Sequence, residues 1–515
     1  AFAYYFQYAA ASIGGGLDLD FWRNVVPQVC RNEPAVWDAL ISIGSLFESP
    51  DPCPNLVSLR WHGSRAINRN HQDALDWYSR SVSAVRRGIE QDNIGLFVGL
   101  ITCVLFICIE SLLGSMEQAL RLYSQGVHLI LALRSRRARG VVTDTEFSLL
   151  METIVPIFVR LGAFSPNNIY TPASTLLRET EHTLASAQEF MSLKSAREAI
   201  VILATEISLF ELTCEEYLQE SHAWNISEEL MHRQRILSAR LQNWHTAFST
   251  LMESLRTRDC LPSWQVSTGA LLLTYYEMLV VILAVCVSPS RITTDAYTRN
   301  FKNITEQAIV ALNGTERNDG TQPPFTFEIS VGLPLWFTCV RCREPTIRRT
   351  ALALLRRGHQ VQGLHTRDQG AALGEKVMML EEAYAMAMKA AQSATDFTNP
   401  KAKNALIDYQ SYCRGIGNPS SPPSVLDFEL AACQNLSLTD TETGTTAAVL
   451  VPQEARIRPH GIFRGREGYP PGTTDEDLAK WKGNFGQTFL HFSRNEYDRS
   501  NNTWKMTYGS IPIDL

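Results

Sequence analysis

Along most of the first 400 residues, apolar side chains recur at alternating intervals of three and four, the spacing that lines one face of an α-helix. Leu75, Tyr78, Val82, Val85 and Ile89 form one such stripe, and Met116, Ala119, Leu120, Tyr123, Val127, Ile130 and Leu131 form another. The longest runs Phe190, Leu193, Ala196, Ile200, Leu203, Ile207, Phe210, Cys214 and Tyr217, about eight turns of helix. Burying each large apolar side chain contributes about 1.5–3 kcal/mol before entropy is charged, so helices of this kind need neighbours along their length. Asn32 is the expected N-cap of a further helix, with Pro34 in its first turn and Trp37, Leu40, Ile41 and Gly44 at helical spacing. Two stretches, 94–109 and 270–287, are apolar nearly all round and read as central helices of a bundle. The second reaches the length of a membrane span. Glu277 at its middle and the lack of a flanking basic cluster favour a buried helix, so no membrane contact is expected.

Helix-breaking residues punctuate this pattern. Ser49–Asn55 and Asn313–Pro324 read as loops, and Gly14–Gly16 reads as a hinge between the first two helices. Composition changes after about residue 400: Gly415–Ser424 is rich in Gly, Pro and Ser, Thr439–Thr446 is small and polar, and Pro459–Gly472 reads as a Gly/Pro loop. The period then becomes two. Phe489–Phe492 and the alternating Trp504, Met506 and Tyr508, with a turn at 498–502, predict a β-hairpin. The predicted architecture is all-α: a large multi-helix body over 1–400, and a small loop-rich extension over 401–515 with short β-strands packed on it. No internal repeat of fixed period is present.

Composition narrows the function classes. A chain of 515 residues with 45% hydrophobic and 19% charged content lies in the globular range. Its 47 Lys+Arg against 53 Asp+Glu give a net charge of −6, which argues against autonomous nucleic-acid binding, since duplex affinity rests on neutralising phosphates. Arg134, Arg136, Arg137 and Arg139 read as a solvated helix end that complements the helix dipole. Cys103, Cys108 and Cys286 sit in apolar helical runs, the usage of small hydrophobes inside a cell. No secretory leader pattern opens the sequence, so the N-x-[ST] sites at Asn225, Asn303, Asn313, Asn435 and Asn501 read as chance matches. The start at Ala1, within an amphipathic segment, is what a piece of a longer protein would show.

No catalytic template is matched: the sequence contains no HExxH, G-x-S-x-G, P-loop or GxGxxG after a strand. Cys339-Val-Arg-Cys342 is a lone C-x-x-C whose nearest histidine is His359. Zinc needs four ligands, so these read as packing thiols. His71 and His128 fall on or beside amphipathic helices, as surface or core histidines do. Glu215/Glu216 and Glu228/Glu229 are adjacent pairs that point about 100° apart on a helix and cannot share one substrate atom. Trp37, Trp77, Tyr123, Tyr275 and Tyr276 are expected to point inward, filling a core in preference to lining a cavity. No catalytic, cofactor or metal residue is assigned.

The most informative stretch begins at Cys342. Pro345 opens a helix with Ile347, Ala351, Leu354 and Leu355 on one face, while Arg348, Arg349, Arg356 and Arg357 are expected largely off it, toward solvent or a partner. Arg348 and Arg349 are the candidate structural or partner residues. Their guanidinium groups suit bidentate pairing with carboxylates, and at least one is expected to be paired inside the domain. The segment CREPTIRRTALALL resembles part of the regulatory domain of fungal zinc binuclear cluster transcription factors. So do DFWRNVVPQVCRNEPAVWDALISIGSLFE (20–48), ALDWYSRSVSAVRRGI (74–89) and CVLFICIESLLGSMEQALRLYSQGVHLI (103–130), in the family's order. The likeness covers residues 1 to about 390 and departs after the CREPTIRRTALALL helix, where the chain continues Arg356-Arg-Gly-His-Gln-Val-Gln-Gly-Leu-His365 in place of the family's Arg-Arg-Glu-Gly-x-Trp-like turn.

The resemblance implies a regulatory domain of a nuclear transcription factor and not an enzyme. Its implied partners are the transcription machinery or regulatory proteins, a small-molecule effector, and a second copy in a homodimer. The family's two zinc ions and its DNA contacts belong to a separate six-cysteine N-terminal module. No stretch here has that module's spacing, so this chain is expected to carry no cofactor and to make no direct nucleic-acid contact. The alternative class is a stand-alone helical domain acting as an enzyme or small-molecule-binding protein in secondary metabolism.

Overall fold

Proline at the first helical position sets where the helix Pro34–Glu48 (α1) begins. Its ring pushes the preceding residue out of the α region, so the N-cap is the extended Glu33 (φ −121°, ψ 101°) and not Asn32. Val36, Ala39, Leu40, Ile43 and Phe47 make its inner face. Trp37, expected inside, is 39% exposed and stacks on Phe2 with ring centroids 4.4 Å apart. The computed structural model describes residues 1–49, 69–91, 95–138, 147–148, 150–163, 172–177, 189–220, 227–258, 261–288, 291–393, 451–464, 475, 478–479, 488–498 and 503–513. Most of Ser49–Asn55, all of Gly415–Ser424 and Thr439–Thr446, Arg139, and the sites at Asn225, Asn435 and Asn501 lie outside them.

The described chain is mainly helical, as the apolar periods require. Two units can be distinguished: Ala1–Pro289 with Asn300–Leu335 and Ala353–Gly370, and Ser290–Arg299 with Trp336–Leu352 and Ala371–Leu515.

In the first unit, the Gly14–Gly16 turn separates the segment Ala10–Gly14 from Phe21–Val25. Gly15 has φ +57°, a conformation that favours glycine, and a Cβ on Gly14 would lie 2.2 Å from the Trp22 ring. The helix Arg69–Glu90 (α2) packs through a face one residue round from the expected stripe. His71, Ala74 and Ser81 are buried, whereas Val82 and Ile89 are 41% and 68% exposed. Small residues let α1 and α2 approach closely. Ser42 donates to the Ala74 carbonyl at 2.8 Å and Ser81 to the Ala35 carbonyl at 2.6 Å.

Leu96–Leu112 (α3) is buried along nearly its whole length, as its all-round apolar sequence predicts. Met116–Ala138 (α4) buries Ala119, Tyr123, Val127 and Ile130. Gly126 makes room for Phe158 of Val155–Ala163 (α5), where a Cβ would come within 2.3 Å of the ring. Arg134 is buried and donates to the Leu176 carbonyl at 3.3 Å, so the expected solvated arginine terminus of α4 does not include it. Leu193–Glu220 (α6), Glu228–Arg258 (α7) and Ser263–Val285 (α8) pack together. The expected stripe of α6 is buried from Leu193 to Cys214. Trp244 of α7 donates to the Ala196 carbonyl of α6 at 2.9 Å, and Gln234 of α7 to the Leu283 carbonyl of α8 at 2.7 Å. By length and composition α8 could cross a membrane, and more than half of its apolar window is buried in this packing. Glu277 at its middle accepts from Asn300 and Asn303 of Thr298–Asn313 (α9) at 2.6 and 2.8 Å. Three two-residue strands complete this unit: Phe325–Thr326 (β1) runs parallel to Val361–Gln362 (β2), which is antiparallel to His365–Thr366 (β3).

Three helices contribute to the second unit with parts of their length: Gly332–Arg341 (α10), Pro345–Arg357 (α11) and Arg367–Ser393 (α12). The expected hairpin is present as Thr488–Asp498 (β5) antiparallel to Thr503–Ile513 (β6). A third strand, Ile457–Arg464 (β4), pairs with β5 and begins the stretch expected to be the Pro459–Gly472 loop. Pro459 is accommodated because β4 is an edge strand with an irregularity between Pro459 and Gly461. Leu490 and Phe492 of β5 and Ile457 of β4 pack against Val377, Leu380 and Tyr384 of α12.

Candidate functional site

The α11 segment places Arg348 in the interior of the second unit. Glu344 caps the helix, its carboxylate accepting the Ile347 N–H at 2.5 Å. Arg348 then lies in the row 348, 351, 355, which is as much a helical face as 347, 351, 354. It is 1% exposed, so the expectation that it falls off the buried face is overturned. Pairing makes its burial tolerable. Nε donates to the Cys339 carbonyl at 2.6 Å and Nη2 to Glu381 Oε2 at 2.7 Å. Arg349 is about 100° further round, its side chain 46% exposed, and donates to Glu382 Oε2 at 3.1 Å. Consecutive arginines of α11 therefore engage consecutive glutamates of α12.

Glu381 is the centre of this cluster and is fully buried. Its Oε1 accepts from Arg343 Nη2 and from the Ile457 N–H, the latter at 2.9 Å. Burial alone would raise its carboxyl, but Arg343 and Arg348 outweigh it and hold it below the usual carboxylate range. Burial also lowers the Arg343 guanidinium from its ordinary value. Alongside, Arg456 donates to the Val451 carbonyl at 3.0 Å and grips both oxygens of Asp295 at 2.9 and 2.6 Å. The arrangement ties α11, α12 and the start of β4 through one carboxylate, and Arg348 carries the tie on to α10 through the Cys339 carbonyl. Chemically it is a clamp: both carboxylate oxygens of Glu381 accept from protein donors.

A second buried cluster lies in the first unit, centred on Asp18. Asp18 Oδ2 accepts from Arg160 Nη2 at 2.6 Å and Arg197 Nη1 at 3.0 Å. Oδ1 accepts from Arg197 Nη2 at 3.1 Å and lies 3.6 Å from Lys194 Nζ. Arg197, fully buried, also donates to Glu198 Oε1 at 2.6 Å and to Glu328. Burial opposes ionisation of Asp18, yet Arg160 and Arg197 dominate and push its carboxyl far down; burial pushes Glu328 up. The sequence analysis assigned no role to Asp18, which follows the Gly14–Gly16 hinge. The available signal was Arg197 itself, an arginine lying beside Ala196 in the apolar stripe of α6.

A third contact joins Ser330 Oγ and His359 Nδ1 at 3.3 Å, and Tyr275 donates to the Ser330 carbonyl at 2.8 Å. Burial, with Arg317 and Arg367 adding to it, lowers His359 to about 4, so the imidazole is neutral near pH 7. Hydroxyl and imidazole have the chemistry of a nucleophile and its base, and both residues are 6% exposed.

The remaining candidates are buried packing groups or surface residues. Cys339 and Cys342 are both buried, and burial pushes the Cys342 thiol up to about 11. His71 is buried, while His128 is exposed and contacts the Ser124 carbonyl at 2.7 Å. Tyr123 and Tyr275 are inside as expected. Among the described residues, no three His, Cys, Asp or Glu side chains come together to hold a metal ion. Comparison with protein-family models, with curated proteins and with solved structures gives no match.

Proposed function

We propose that this chain is the regulatory body of a nuclear transcription factor of the fungal zinc binuclear cluster type. It acts through contacts with the transcription machinery or other regulatory proteins, with a small effector as its ligand. The observation that carries the reading is the likeness of the four sequence blocks, met in the family's order. It is supported by what those blocks become: α1, α2, α3 with α4, and α11. In this reading Arg348 is a positioning residue that fixes α11 on α12, and DNA recognition belongs to a zinc module outside this chain.

The test is transcriptional. Fused to a heterologous DNA-binding module, the 515-residue chain is expected to change reporter expression several-fold relative to the module alone. Equal expression from the fusion and the module, at matched protein levels and with the fusion folded by circular dichroism, overturns the proposal. A sequence-preferring band shift by the isolated chain at physiological salt would overturn it as well, because the net acidic chain would then be reading DNA itself.

A further inference from the structure

Asn313 and Gly314 form the single Asn-Gly step in the sequence, and it falls at the C-terminal end of α9. Asn313 is the last residue of that helix and is exposed. Gly314 is held to glycine by its neighbour on α8: a Cβ there would lie 2.2 Å from Ser267 Cβ and 2.5 Å from its Oγ. Ser267 is buried and donates back to the Trp264 carbonyl at 3.0 Å, so its Cβ is no flexible end that swings aside. Close approach of the Gly314 backbone to α8 therefore excludes a side chain at this position. The Gly314 N–H itself is held loosely. It donates to the Val310 carbonyl at 3.3 Å, beyond the usual range of about 2.7–3.2 Å, and it belongs to the last turn, where helices fray.

From this geometry we propose that Asn313 is a site of spontaneous deamidation, with water as the only co-reactant, and that the modification loosens the end of α9 on α8. In the first step the Gly314 nitrogen attacks Asn313 Cγ; the N–C bond forms, the Cγ–Nδ2 bond breaks, and ammonia leaves with the former Gly314 amide proton. Glycine favours this ring closure because it sets no Cβ beside the attacking nitrogen. In the second step water adds to one of the two imide carbonyls, the bond from that carbon to the ring nitrogen breaks, and the nitrogen regains a proton. Opening at Cγ gives an aspartate. Opening at the main-chain carbonyl gives an isoaspartate, whose backbone runs through Cγ. Amide plus water becomes acid plus ammonia, with no change of oxidation state. Either product sets a new carboxylate at the negative pole of α9, ahead of a loop that already carries Glu316 and Asp319. The isoaspartate also adds a methylene to the main chain beside Gly314, where Ser267 leaves no slack. The cap this disturbs is the Leu312 carbonyl, which accepts from Thr315 Oγ1 and Gln322 Nε2 at 3.2 and 2.8 Å.

This inference is independent of the transcriptional reading and concerns the chain's own chemistry. The experiment holds the folded protein at physiological temperature and mildly alkaline pH, then maps it with trypsin and tandem mass spectrometry. Asn303 lies on the same tryptic peptide, 303–317, and donates to Glu277, so it serves as the internal control. The expected result is a growing fraction of that peptide with the mass of an amide turned acid, placed at Asn313 by fragmentation, isoaspartate exceeding aspartate. The melting temperature should fall in parallel. Asn313→Gln, which would have to close a six-membered ring, should show neither change. An intact Asn313 when the unfolded chain has converted under the same conditions overturns the proposal. So does conversion no faster than at Asn303, isoaspartate confined to Asp319-Gly320 on the next tryptic peptide, or conversion at Asn313 with the melting temperature unchanged. The wild-type peptide map and melting temperature decide the matter even where the variant fails to fold.

Discussion

Arg348 Nη2 donates to Glu381 Oε2 at 2.7 Å, and neither side chain is more than 1% exposed. Removing one member of such a pair leaves an uncompensated buried charge, which typically costs about 3–5 kcal/mol. Glu381→Gln should be the worse change, since it strands two guanidiniums, Arg343 and Arg348. Arg348→Ala should fall in the same range but lower. Arg349→Ala should cost no more than about 1 kcal/mol, because its pair with Glu382 is half open to solvent. Urea unfolding of the three variants checks the order. Equal midpoints for Arg348→Ala and wild type would show that the buried pair does not stabilise the fold.

His359 sets a pH dependence whose sign follows from its depressed folded-state pKa, about 4 against the ordinary 6.5. Above pH 6.5 the imidazole is neutral in both states. As pH falls from 6.5 toward 4, the unfolded chain takes up a proton that the folded one refuses, so stability is lost, by roughly 3 kcal/mol at most. His359→Asn should flatten this part of the profile while leaving the lower acid limb. That limb belongs to Asp18 and Glu381, whose lowered pKa values contribute stability that disappears as they protonate below the ordinary carboxylate range. Unfolding midpoints of wild type and variant across pH 4–8 provide the measurement.

Gly126→Ala separates helix propensity from packing. Propensity alone predicts a gain of about 1 kcal/mol for alanine inside a helix. The added Cβ, however, would sit 2.3 Å from the Phe158 ring, which also stacks on Tyr123 at 5.7 Å. Overpacking of this kind costs about 1–3 kcal/mol, so the variant should melt below wild type. A raised melting temperature would mean that α4 and α5 separate freely.

The α1–α2 contact can be tested by two adjacent residues. Ser81 is fully buried and donates to Ala35, while Val82 is 41% exposed. Val82→Ser should change stability by no more than about 0.5 kcal/mol. Ser81→Val should cost about 1–3 kcal/mol, through loss of the hydrogen bond and added bulk in a tight interface. The reverse order would return α2 to the face its apolar stripe suggested.

The outcome at α2 shows where reading periodicity ends. The stripe Leu75, Tyr78, Val82, Val85, Ile89 located the helix, but apolar spacing fixes a face only to within about one residue of rotation. The contact chose Ala74 and Ser81 because small side chains let two backbones come close. At α4, by contrast, Ala119, Tyr123, Val127 and Ile130 are buried as their spacing indicated. The strand β4 was hidden because Pro459 and Gly461 are turn residues locally and tolerable only on a paired edge.

By itself the sequence determined the helical class, the long buried stripe of α6, the start of α11 at Pro345 and the hairpin of β5 and β6, because each depends on dihedral preference or on a period within one segment. Tertiary structure alone decided that Arg348 is buried and Arg349 half-exposed, that Asp18 is gripped by Arg160 and Arg197, and that Ser330 meets His359. Those facts join residues tens to hundreds of positions apart. A charged side chain enters an interior only where the fold brings an opposite charge to meet it, and no local pattern records where that partner will be.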